Sequence, residues 1–223
     1  MNTKITKILT LSDFNLQFAQ LNDDRFFEKI PSEDYRRLIY ESQKCGKLVA
    51  EDVINKFPTA TLDEIVSKLG IELVFSEMTV DKNFTSVGYF ESPNKIVVNS
   101  TLKEKDYFFE EIGLSWFNYD FWKEIVIAHE LFHFFQEKNT NTFIDQYKIS
   151  LWHLGPYQNK TKLLSLGEIA AMSFAKKLLA LDFYPGFLEL LIIYPYFPDE
   201  VGRKLDEILS RDRNKMIEQL FND

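Results

Sequence analysis

The chain has 223 residues, 45% hydrophobic and 15% aromatic, with 21 Phe and 10 Tyr, a composition that supports a substantial core and excludes intrinsic disorder. Its 34 acidic and 26 basic residues leave a net charge of −8 with no basic cluster, which argues against a protein that binds nucleic acid directly. A single cysteine, Cys45, leaves no internal disulfide and fits a reducing compartment. The first ten residues carry lysines but too short an apolar run for a signal peptide. The most apolar tract, 187–197, is interrupted by Glu189 and Pro195 and falls short of membrane-spanning length. A soluble cytoplasmic protein, away from membranes, is expected.

In chain order, residues 12–22 and 32–56 show helical spacing, the second run opening on Pro31-Ser32-Glu33-Asp34. A short helix over 62–69 is stopped by Gly70, and Ile71 to Phe75 alternate as a strand. Residues 86–90 and 95–99 flank the turn-rich Glu91-Ser92-Pro93-Asn94 and predict a hairpin. A helix follows over about 120–137, with Asn118 or Asp120 as its cap; it is apolar nearly all round, which predicts burial. Residues 139–164 read as an irregular connection. A helix rich in small residues runs from about Ser165 to Leu181, and an amphipathic helix covers 199–221.

Inside the buried helix lies His129-Glu130-Leu131-Phe132-His133, an H-E-x-x-H motif. Histidines at i and i+4 share one helix face and can ligate one zinc ion, and the glutamate between them can take a proton from a water on the metal. Two of the three histidines in the chain are spent here. The bland reading is a pair of hydrogen-bonded core histidines, costly to bury beside Glu130 without a metal or matched partners. A catalytic zinc needs a third protein ligand, for which His153 and a downstream carboxylate compete. Gln136 and Asn139 rule out a third histidine in the extended motif. Glu168 is the better placed carboxylate, on a small-residue helix able to pack closely. Ser165-Leu166-Gly167-Glu168 also fits a capping box, in which the glutamate merely serves the helix start.

The strand Ile96-Val97-Val98-Asn99, the helix segment Ile127-Ala128-His129-Glu130-Leu131-Phe132-His133 and the run from Glu168 to Leu179 together resemble the ImmA/IrrE-type metallopeptidases. The likeness spans roughly residues 50–182. It implies zinc on His129, His133 and Glu168, water activation by Glu130, and a cytoplasmic peptidase that cuts or inactivates a specific protein such as a transcriptional repressor. In that family a small residue usually stands where Phe132 does, and a polar one where Met172 does. Phe132 is therefore expected to narrow access to the metal. The departures motivate an alternative: a zinc-bound, weakly active or inactive regulator working by protein–protein binding.

Of the remaining residues, His153, Tyr147 and Tyr157, in the connection between the ligand helices, are candidate oxyanion donors. Asn99 and the strand 95–99 are candidate substrate contacts, the strand through edge pairing with an extended peptide. The aromatic group Trp116, Phe117, Tyr119, Phe121 and Trp122 reads as core before it reads as a specificity pocket. The expected architecture is α+β: a small, mostly antiparallel sheet packed on the motif helix and the glutamate-bearing helix. One compact unit is expected, with a metallopeptidase-like core over 50–183 and helical extensions over 1–49 and 184–223.

Overall fold

The structure, a computed structural model, describes residues 2–81, 85–154 and 157–213. Its N-terminal part is helical: α1 (Asn2–Leu9), α2 (Asp13–Asn22) and the long α3 (Tyr35–Lys56). Ser12 caps α2 by accepting from the Asn15 backbone N–H. Helix α4 (Leu62–Lys68) opens on a complete capping box between Thr61 and Glu64. Strands β1 (Glu72–Ser76), β2 (Gly88–Glu91) and β3 (Lys95–Asn99) form one sheet in the order β1-β3-β2. β2 and β3 are the expected antiparallel hairpin, whereas β1 pairs with β3 in parallel, so the sheet is mixed.

That order corrects one expectation. β3 has neighbours on both sides, so its backbone is already committed and strand 95–99 has no free edge for a substrate. The edge beside the motif helix belongs to β2. β3 is instead the buried middle of the sheet, with Ile96, Val98 and Asn99 fully enclosed.

After α5 (Asp106–Glu111) comes α6 (Tyr119–Lys138), the motif helix, whose N-cap Asn118 accepts from the Phe121 N–H. Its middle is buried on nearly every side, from Ile125 to Phe132, because β2 and β3 cover one flank and later helices the other. Gly88 sets the closeness of the sheet: a Cβ there would lie 2.5 Å from Val126 Cγ1. Phe117, Tyr119 and Trp122 are core, as expected, and Trp116 is half exposed against Phe117, Phe121 and Phe183.

The segment expected to be irregular contains α7 (Phe143–Gln146) and a second, two-stranded sheet of β4 (Ile149–Leu154) and β5 (Tyr157–Thr161). β5 is almost wholly exposed, so no apolar alternation marks it; cross-strand hydrogen bonds define it instead. Then follow α8 (Leu164–Leu178), α9 (Leu188–Ile193) and α10 (Pro198–Arg213). The part of the expected terminal helix beyond residue 213 lies outside the described residues. Among the described residues no helix is long and apolar enough to cross a membrane.

Helix α3 runs unbroken across the expected 49/50 boundary and lies along α8. Gly46 is what permits the approach, since a Cβ there would fall 2.0 Å from the Ala170 carbonyl oxygen and 3.0 Å from Phe174 N. Ile169, Ala170, Ala171, Phe174 and Ala175 of α8 are all fully buried in consequence. The α+β architecture with helices at both ends holds, and it clamps α8 between α3 and α6.

Candidate metal centre

The i, i+4 spacing on α6 brings His129 Nε2 and His133 Nε2 to 3.1 Å of each other. From α8, Glu168 Oε2 reaches within 3.2 Å of His129 Nε2, and Oε1 within 3.7 Å of His133 Nε2. One donor atom from each residue lies within 4.8 Å of the others. Ligands about 2.0–2.2 Å from a zinc ion in a tetrahedral set sit roughly 3.3–3.6 Å apart, and the three residues are near that spacing, with the carboxylate divided between the two rings. This group can hold a metal ion.

Glu168 is free to take part because the capping box does not form. The Ser165 backbone N–H and hydroxyl instead donate to Asp24 Oδ2, at 3.1 and 2.9 Å. Asp24, brought in from beyond α2, thus caps α8 from outside its own sequence. Phe132 does not narrow the site. It is buried between α6 and α8, its ring 5.8 Å from that of Phe174, and it lines no part of the cleft. Its ring also lies 5.9 Å from that of His133, so it packs beside the ligand pair in the helix interface and outside the cleft.

The two histidines are held differently. His133 Nδ1–H donates to Gln136 Oε1 at 3.1 Å, which leaves the Nε2 lone pair directed at the ligand group. Gln136 in turn donates to Asp145 Oδ1 at 3.4 Å, and Asp145 accepts from Lys162 Nζ at 2.9 Å and Thr142 Oγ1 at 2.7 Å. His129 Nδ1 is buried with no partner among the described residues, and Met172 is one of the residues lining the adjacent cleft.

Charge in the group is strongly coupled. Burial pulls the His129 imidazole down, but the hydrogen bond and charge of Glu168 outweigh it and raise it to about 9. Burial pushes the Glu168 carboxyl up, and His129 more than reverses this, holding it at about 2. His133 is pushed below its ordinary value, first by burial and then by the charge on His129. At neutral pH these three side chains therefore hold one proton and no net charge between them, and that proton and a divalent cation compete for the same lone pairs.

The group opens onto a cleft of about 360 Å³, walled by residues 85–89, by α6 with Glu130, and by α9 with Glu189 and Ile192. Nearly half of the Glu168 side chain (48%) is accessible, but that area faces the cleft while protein surrounds the rest. A second cavity of about 470 Å³ shares Glu168, Met172 and Glu189 with the first and extends to Asp24 and Lys204.

The structure thus brings together His129, Glu130, His133 and Glu168. It places the other candidates elsewhere. Tyr147 donates to Asp34 Oδ2 at 3.3 Å and stacks on Phe143, and Tyr157 is 72% exposed on β5. His153 lies in β4 opposite Gln158, and its side chain is outside the described residues. Asn99 is fully buried; its Nδ2 donates to the Ser86 carbonyl and its Oδ1 accepts from Thr101 N, both at 3.0 Å. It braces the cleft wall rather than lining it.

Sequence reasoning missed Gln136, Asp145 and Glu189. Gln136 was findable, three residues after His133 and so on the same helix face. Asp145 lies in the 139–164 segment, whose sequence shows no regular periodicity to place it. Glu189 is a lone acid in an apolar tract, a signal that registered only as a break in hydrophobicity. No family model, curated protein or solved structure matches this chain, so its capacity for metal rests on the geometry of His129, His133 and Glu168.

Proposed function

We propose that the protein is a zinc-dependent endopeptidase of the cytoplasm that cleaves or inactivates a specific protein, such as a transcriptional repressor. One observation carries the reading: a compact His129–His133–Glu168 group and the Glu130 carboxylate share one open cleft. Two imidazoles and a carboxylate gathered this closely, with no thiolate, suit zinc, and three ligands leave a fourth position open. Zinc held there supplies Lewis acidity, polarising a scissile carbonyl and acidifying a water. Glu130 accepts the proton of the attacking water and delivers it to the leaving amine. The edge of β2 and the preceding residues 85–87 give an extended peptide a backbone to pair with beside the ligands. The likeness of the motif segments to ImmA/IrrE-type metallopeptidases supports the narrower choice of an intracellular protein substrate. The rival regulator without turnover draws on Phe132 as a barrier and Met172 as a lost polar partner; the Phe132 ring lies in the core, and Met172 lines the cleft.

Purified protein is expected to carry about one zinc per chain and to cleave a mixture of random-sequence quenched decapeptides. Glu130→Gln is expected to keep the zinc and lose the cleavage. Substoichiometric metal at neutral pH, or equal cleavage by the variant, refutes the proposal.

A further inference from the structure

Glu189 has no role in the chemistry above. It stands on α9, in the wall of the metal cleft opposite α6, and makes no hydrogen bond or ion pair among the described residues. It is close enough to feel the charges of His129, Glu168 and Glu130, yet it is not part of the compact ligand group. It also lines the second cavity, so with Glu168 and Met172 it stands between the two.

Charge counting gives this position a meaning. A divalent cation, two neutral imidazoles and the carboxylates of Glu130 and Glu168 sum to zero. Glu189 is the surplus: its side chain is exposed to the cleft, and the protein around it, with the charges of Glu168 and Glu130, raises its carboxyl above the ordinary value. The cations lining the second cavity are engaged elsewhere: Lys204 pairs with Asp23 Oδ1 at 2.7 Å, and Arg25 lies over the Phe26 ring. An exposed acid with no cation partner, set among other acids on a cleft wall, attracts a cation arriving from outside.

We propose that Glu189 is a specificity-determining residue that selects peptides presenting an alkylammonium group next to the scissile bond. The group is a lysine side chain, for an endopeptidase, or a free chain amino terminus, for an enzyme that trims from the amino end. This rests on the peptidase reading above and adds what that reading leaves open, the chemistry of the substrate flanking the cut.

The test measures binding, with turnover removed. Zinc-loaded Glu130→Gln protein is titrated into fluorescein-labelled decapeptides of one scaffold, with Lys, Gln or Glu scanned through each position. Each peptide is made with a free or an acetylated amino terminus. Binding is expected to favour a Lys at one position, or the free terminus, by about tenfold over Glu or the acetylated form. Adding Glu189→Gln is expected to reduce that ratio below about twofold, and Glu189→Lys to invert it. Acetylation identifies which ammonium is read. A preference that survives in Glu189→Gln, or none in the parent, overturns the assignment while leaving the peptidase proposal standing. A loss of zinc affinity of about tenfold or more in Glu189→Gln makes it a metal ligand and also overturns the assignment. If no peptide binds to protein that retains its zinc, the peptidase reading falls and takes this one with it.

Discussion

Gly46→Ala tests the packing that sets the position of Glu168. Within a helix this substitution ordinarily stabilises, by about 1 kcal/mol, through better helix propensity. Here the new methyl would sit 2.0 Å from the Ala170 carbonyl oxygen and 2.9 Å from its carbon. Both are backbone atoms of α8, which cannot rotate away, so α3 and α8 must part by about 1 Å. Overpacking against side chains costs about 1–3 kcal/mol, and a rigid backbone belongs at the upper end. Subtracting the propensity gain leaves a net loss of roughly 2 kcal/mol. Because Ala170 stands two residues after Glu168 on the same helix, the displacement also pulls the carboxylate off the two histidines. Gly202→Ala in α10 is the control, since nothing lies within 4 Å of its Cβ position, and it is expected to stabilise by about 0.5–1 kcal/mol. Urea unfolding of the metal-stripped proteins, with zinc competition titrations on the folded ones, reads both effects. If Gly46→Ala raises the midpoint as Gly202→Ala does, the close contact between α3 and α8 is wrong, and with it the account of how Glu168 is placed.

Two further predictions concern the ligand group. His129 is raised from 6.5 to about 9, so its share of stability in the metal-stripped protein is full below 6.5 and lost as pH rises through 9. Glu168 is lowered from 4.5 to about 2, so its share is full above 4.5 and lost as pH falls toward 2. Melting temperature is therefore expected to peak between those ordinary values and to flatten in Glu168→Gln; an unchanged profile in that variant refutes the pairing. Zinc must displace the His129 proton, so zinc affinity is expected to rise about tenfold per pH unit between pH 7 and 8.5, measured by competition with a chelator. Asp145→Ala and Gln136→Ala each release the His133 ring and are expected to weaken zinc about 10–100-fold, with Gln136→Glu restoring part of the loss. Equal affinities across these variants would show that the chain from Lys162 to His133 does not orient the ligand.

The metal group was legible because its information is local. His129 and His133 are four residues apart on a helix apolar enough to announce its burial, and Glu168 follows on a helix whose small residues foretell close packing. The β2–β3 hairpin was legible for the same reason, as alternation around a turn. What failed was non-local. That β1 joins β3 in parallel, leaving the cleft-side edge to β2, depends on pairing across 23 residues, from Glu72 to Lys95. β5 buries too little to leave a pattern. Phe132 looked like an obstruction because a motif alignment carries no direction, whereas the helix turns that ring toward Phe174. Glu189 acquires its meaning only when α9 folds back over α6.

The external cap on α8 bears on how this protein can be divided. Asp24 ties down the start of the glutamate helix and Gly46 receives its middle, so both anchors of the third ligand come from the first 50 residues. The candidate metal centre is thus co-owned by segments that the motif pattern assigns to different parts of the chain. A fragment trimmed to the motif-bearing stretch would keep every ligand in its sequence and lose the surfaces that aim one of them. Changes in the N-terminal helices, far from any metal-binding signature, can then tune the site without touching a ligand.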